Sequence, residues 1–125
     1  MSIDCLRQFR LVYLASPYSK FEDGIEAAFA EISDIAGQLI KEGIAVISPV
    51  AHSHSICEYS GLDHLDHDLW MRLDEPIMQA CDAICVAKMP GWAKSKGVGL
   101  ELYHFKVNNK PAFLLDVDLF VCEPF

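Results

Sequence analysis

Apolar and polar positions follow two periods that take turns along the chain. Leu11-Val12-Tyr13-Leu14-Ala15 is a short continuous apolar run closed by Ser16-Pro17, which predicts a buried first strand. From Phe21 to Glu42 the apolar residues Ile25, Ala28, Phe29, Ile32, Ile35, Ala36, Leu39 and Ile40 recur at helical spacing, with acids on the opposite side. Ser19 and Glu22 match a capping box for this helix, and Gly43 ends it. Ile44 to Ser48 predicts a second strand stopped by Pro49. The segment from Pro49 to about Gly61 reads as a loop, and Leu62 to Ala80 as a second helix that kinks or restarts at Pro76. Ala83-Ile84-Cys85-Val86-Ala87 is a third strand, and Lys88 to Lys96 a loop containing Pro90 and Gly91. A helix from about Gly97 to Val107 then precedes a fourth strand, Ala112 to Leu115. The tail holds Leu119, Phe120, Val121 and Phe125 among acids, and suits an extra strand or a subunit contact.

Strands separated by helices imply a parallel sheet covered on both faces, within one α/β domain spanning residues 1–125. Ligands of such sheets bind beyond the carboxyl ends of the strands, where the strand order reverses. With order 2-1-3-4 that point lies between the first and third strands. It gathers Tyr13 and Ser16 to Ser19 from one side and Lys88 to Glu101 from the other.

Composition narrows the partners. The chain is 52% hydrophobic and 22% charged, which excludes a disordered segment. A net charge of −8 argues against a nucleic-acid polymer or an anionic membrane as partner, yet leaves room for a small anion in a locally positive pocket. No apolar run approaches the ~18 residues of a membrane span, and the start of the chain has no signal-like pattern. The five cysteines form no C-x-x-C pair, so the expectation is a cytoplasmic protein with reduced, mostly buried thiols.

Ser95-Lys96-Gly97-Val98-Gly99-Leu100-Glu101 is the most informative stretch for chemistry. Its glycines let a ligand approach the backbone, and Lys88, Lys94 and Lys96 fall in a window free of acids. Glu101 is expected in the first helical turn, kept ionised by the helix dipole, as a carboxylate able to attack a sugar carbon or as a simple cap. Asp74 is either a cap for a turn restarted at Pro76 or a site residue. Tyr13, near the end of its strand, either fills the core or aims its hydroxyl at a carboxylate. Trp92 either stacks on a base or plugs the loop against the core. His52, His54, His64 and His67, with Cys57 between them, are zinc-ligand types, but no metal-binding spacing appears. They read as pocket wall or plain surface, with His64 and Asp68 on a solvated helix face, and no metal or cofactor is expected.

Taken together these residues resemble the nucleoside 2-deoxyribosyltransferase family and its hydrolytic relatives, the 2'-deoxynucleoside 5'-monophosphate N-glycosidases. Tyr13-Leu14-Ala15-Ser16 is similar to the family's first-strand motif. Asp74 stands eight residues before Asp82 as the family's helical Asp does before its third strand, and Gly99-Leu100-Glu101-Leu102 resembles its last-helix motif. The resemblance runs from Leu11 to about Leu115. It implies a flavodoxin- or Rossmann-like three-layer sandwich with a parallel sheet of four to five strands, order 2-1-3-4, a fifth strand adding beside the fourth. It further implies Glu101 as nucleophile, Tyr13 holding it, and Asp74 contacting the sugar and assisting proton transfer. Substrate contacts are expected from Ser16, Ser19, Lys20, His52, Trp92, Ser95, Gly97 and Gly99, with Ser95 where the monophosphate hydrolases place a phosphate-contacting serine. Tyr103 stands where the family usually has Gly, and Pro17-Tyr18-Ser19-Lys20 replaces a Gly- and Arg-rich loop. The expectation is an N-glycosidase of a (deoxy)nucleoside 5'-monophosphate, with deoxyribosyl transfer or a non-catalytic nucleotide sensor as alternatives. A mean hydropathy of +0.20 and the apolar tail add the expectation of a homo-oligomer, a dimer or a tetramer.

Overall fold

The chain's alternating apolar runs and amphipathic segments fold into a five-stranded sheet, seen in a computed structural model that describes residues 2–125. In chain order the elements are β1 (Val12–Ala15), α1 (Ile25–Lys41), β2 (Val46–Ile47), α2 (Pro49–Ser60), α3 (His67–Ala80), β3 (Ala83–Ala87), α4 (Lys96–Val107), β4 (Ala112–Asp116) and β5 (Val121–Pro124). Short 3-10 turns occupy Asp4–Gln8 and Trp92–Lys94. The sheet order is β2-β1-β3-β4-β5. The first four strands run parallel, and β5 closes the edge antiparallel to β4, with Leu115 opposite Cys122. The tail thus becomes a strand. Phe120 packs into the core, while Leu119 and Phe125 remain exposed.

Period-two alternation along buried strands sends neighbouring side chains to opposite faces. Val12, Leu14, Cys85, Phe113 and Leu115 meet Ala28, Ile32, Ile35 and Leu39 of α1 in one core. Tyr13, Ala15, Ile84, Val86 and Leu114 meet Met78 of α3 and Val98 and Phe105 of α4 in the other. Because both faces are covered, the central strands are apolar at every position, which is why they read as continuous runs. No helix among the described residues is long and apolar enough to cross a membrane.

Four local expectations need correction. The segment after β2 is a helix: the Ser48 side chain accepts from the Ala51 amide, Pro49 takes the first turn, and Gly61 closes α2 at φ 76°. Its polar sequence hides the helical period, while its caps advertise it. The capping box at Ser19 and Glu22 does not form; turns carry the chain to Gly24, whose φ of 94° starts α1 without a side-chain cap. α3 begins at His67 rather than Leu62, capped by the Asp66 carboxylate on the Leu69 amide. It also continues through Pro76 without restarting. Arg72 and Pro76 lie on its exposed side, where solvent can satisfy the carbonyl that the missing amide abandons.

Candidate active site

The site begins with a tyrosine in a strand that has no exposed position. Tyr13 is fully buried on the sheet face covered by α3 and α4. Its hydroxyl donates to Oε2 of Glu101, and its ring leans on Phe105 with centroids 5.6 Å apart. Glu101 and Phe105 are one turn apart on α4, so the helix presents a hydrogen-bond acceptor and an apolar wall to the same ring. Ser95 fixes the start of that helix by accepting from the Val98 amide. Its hydroxyl hydrogen stays free to donate outward.

Because α4 starts at Lys96, Glu101 lies in the second turn, beyond reach of the helix dipole. The expectation of a dipole-ionised first-turn carboxylate is therefore corrected. Burial pushes the Glu101 carboxyl up to about 8; the Tyr13 hydrogen bond works against this, and the nearby Asp74 charge adds to it. Its own burial, and then the charges of Glu101 and Asp74, push the Tyr13 hydroxyl far above its ordinary range, so it remains a donor. Burial raises Asp74 to about 6, with His67 pulling the other way. Oδ1 of Asp74 has no hydrogen-bond partner among the described residues, and the same holds for the hydroxyls of Ser16 and Ser53. Three buried polar atoms left unpaired around one space are a costly arrangement for a purely structural cavity.

That space is a cleft of ≈ 180 Å³ beyond the carboxyl end of β1. Its floor carries Ser16, Asp74 and Glu101, and Ser95 and Gly97 reach it from α4. Of the residues singled out in the sequence, Tyr13, Glu101, Asp74, Ser16, Ser19, Ser95 and Gly97 are brought together. Lys20, His52, Trp92 and Gly99 are not among the lining. Trp92 instead packs into the second core and meets Phe125 edge-on at 6.0 Å. His52 and Lys20 face solvent, and Lys88, Lys94 and Lys96 also stay off the lining.

The opposite wall carries His54, His64 and His67, three of the four histidines that read as pocket wall or plain surface, while the expected loop that bears His54 is the helix α2. Once α2 is a helix, His54, Cys57 and Glu58 share one face by their spacing. His54 is 1% exposed, and its Nδ1 lies 2.6 Å from the Tyr18 hydroxyl. Phe29 stacks on its ring at 4.2 Å. Its Nε2 sits 3.0 Å from Oε1 of Glu26 and 3.2 Å from Oε1 of Glu58. His64 precedes α3 rather than lying on a solvated helix face, and is half-buried with Nε2 3.4 Å from the same Glu58 oxygen.

Residues 10–117, most of the chain, match the model of a family described as a domain of unknown function, DUF1937. No curated protein matches the chain.

Proposed function

The chain belongs to the DUF1937 family, and we propose that it is an N-glycosidase that hydrolyses a (deoxy)nucleoside 5'-monophosphate. The observation that carries this reading is the buried Tyr13–Glu101 hydrogen bond with Asp74 in the same cleft. A flavodoxin- or Rossmann-like sandwich binds its ligand at such a strand-order reversal, between β1 and β3. Two carboxyls in one cleft hold a single proton between about pH 6 and about pH 8, and that proton must pass from Glu101 to Asp74 before the Glu101 carboxylate can attack.

In this mechanism the ionised Glu101 carboxylate attacks the anomeric carbon while the carbon–nitrogen bond to the base breaks. The Tyr13 hydroxyl holds the attacking carboxylate in place. Asp74 in its acid form gives its proton to the departing base, then as carboxylate takes a proton from water. That water attacks the anomeric carbon, releases Glu101, and yields the free sugar phosphate. The attacking form carries one proton, on Asp74, so turnover should rise as the first proton leaves the pair at about pH 6 and fall as the second leaves at about pH 8. The phosphate would be met by hydroxyl donors and the start of α4, around Ser95 and Ser19.

A cleft of ≈ 180 Å³ is smaller than the roughly 300–1,000 Å³ that encloses a drug-sized ligand. It suits the sugar, with the rest of the nucleotide in the mouth. A second subunit completing that mouth fits the exposed apolar stripe of Leu100, Tyr103 and Val107 along α4. A second reading, transfer of deoxyribose from a free nucleoside to another base, is favoured by one observation: neither Lys nor Arg lines the cleft. Incubation of the pure protein with nucleosides and their 5'-monophosphates, followed by chromatography for free base, tests both. Base released from a monophosphate without an acceptor supports hydrolysis. Exchange only with an added base supports transfer, and binding without any released base leaves a sensor.

A further inference from the structure

His54 and His64 stand on the far wall of the cleft, with Glu26 and Glu58 behind them, and the acidic floor uses none of the four. His54 Nε2 faces Glu26 Oε1 at 3.0 Å and Glu58 Oε1 at 3.2 Å, and His64 Nε2 faces that same Glu58 oxygen at 3.4 Å. A tetrahedron with metal–ligand bonds of about 2.0–2.1 Å has edges of about 3.3–3.4 Å, so these separations are those of donors around one ion. The nearest donor atoms of His54, Glu58 and His64 all lie within 4.8 Å of one another.

Hydrogen bonding pairs His54 Nε2 with Glu26 Oε1 but leaves His64 Nε2 without a partner among the described residues. One imidazole nitrogen carries at most one hydrogen, yet His54 Nε2 confronts two carboxylates. His64 Nε2 is buried and has no hydrogen-bond partner among the described residues, because its approach to Glu58 is close but badly directed. An unpaired ring nitrogen beside carboxylate oxygens is placed as a ligand is. The outer contacts agree: Nδ1–H of His54 can donate to the Tyr18 hydroxyl, which leaves the Nε2 lone pair facing the cluster, and Phe29 fixes the ring plane.

We propose that His54, His64 and Glu58 form a divalent transition-metal site of the zinc class, with Glu26 next to His54 at its edge. Two imidazoles and a carboxylate, with a fourth position open, suit zinc better than calcium or magnesium, which take all-oxygen shells. The ion would tie α2 to the segment before α3, and so hold one wall of the cleft. The site stands independently of the glycosidase reading, since none of its ligands has a role in that chemistry.

The test is metal binding by the full chain after chelator treatment and dialysis. Zinc chloride titrated calorimetrically should bind at one equivalent per chain with micromolar or tighter affinity, and should raise the melting temperature. Cobalt chloride should give the intense visible absorption of a tetrahedral site. Glu58→Gln and His64→Asn, both at surface or half-exposed positions and so compatible with folding, should each weaken zinc binding at least about tenfold, with circular dichroism unchanged. Absence of zinc binding by the wild-type chain at tenfold excess would overturn the site. Binding that survives both substitutions unchanged would overturn it equally, by moving the ion to the cysteines.

Discussion

The two sides of the cleft hold the same kinds of side chain in opposite electrostatic situations. On the floor, Glu101 is 9% exposed and lies near Asp74, with a neutral hydroxyl as its hydrogen-bond partner. Burial there favours the protonated acid. Behind the wall, Glu26 and Glu58, which do not line the cleft, keep 73% and 46% of their side chains in solvent and stand beside imidazoles. The contact with Glu26, and after it the neighbouring His54 and His64 imidazoles, hold the Glu58 carboxyl below its ordinary range. A carboxylate's depth, rather than its identity, thus decides whether it stores a proton or attracts a cation.

The floor is where substitution should cost most. Glu101→Gln removes the attacking oxygen while keeping shape and burial, and should lower turnover by about a thousandfold or more in an assay for released base. A variant retaining above about a tenth of the wild-type rate would strip Glu101 of its role and reduce the floor to packing. Asp74→Asn should cost on the order of a hundredfold, the usual worth of a positioned acid, and less for substrates whose base leaves readily.

Stability should separate the two sides by pH. The floor carboxyls reach about 6 and about 8 in the folded chain, against ordinary values near 4 when unfolded. The folded state therefore holds protons that the unfolded state has already released. Stability is full below the ordinary carboxyl range and falls as pH rises towards 8, by about 1.4 kcal/mol per pH unit for Glu101 alone. Urea unfolding between pH 6 and pH 8 should show this slope in the wild type and lose most of it in Glu101→Gln. A slope unchanged by that substitution would assign the proton to another group.

Tyr13→Phe leaves a buried Glu101 oxygen without its donor, at a cost of about 1–3 kcal/mol. It should also push the Glu101 carboxyl further up, which moves the falling limb of the pH–rate profile to higher pH and lowers its peak. The smallest effect is expected at the wall's backbone. Gly61→Ala places a Cβ on a residue at φ 76° with open space around it, so only the conformational cost of about 1 kcal/mol applies. Thermal unfolding should register it, while the rate at the floor stays within about twofold of wild type.

Much of the fold is legible in the chain itself. The buried runs around Tyr13, Ile47, Ile84 and Leu114 mark the four parallel strands, because a sheet covered on both faces demands apolar residues at successive positions. The helical spacing of Ala28, Ile32, Ile35 and Leu39 marks α1 for the same reason of one-sided burial. The glycine-bearing stretch from Ser95 to Glu101 marks the helix at the ligand edge, although the helix starts at Lys96 with Ser95 as its N-cap rather than at about Gly97. α2 escaped, since its middle is polar and its evidence lies only in Ser48, Pro49 and Gly61 at the ends. Tertiary structure alone decided three things. It set the ionisation of Glu101, because the depth at which α4 buries its second turn does not appear in local sequence. It paired the tail strand antiparallel to β4, a direction that no pattern of apolar residues encodes. And it brought Glu26 of α1, His54 and Glu58 of α2 and His64 of the next segment to one point, because convergence of three separate elements is a property of how they pack, while periodicity reports only which face of each is buried.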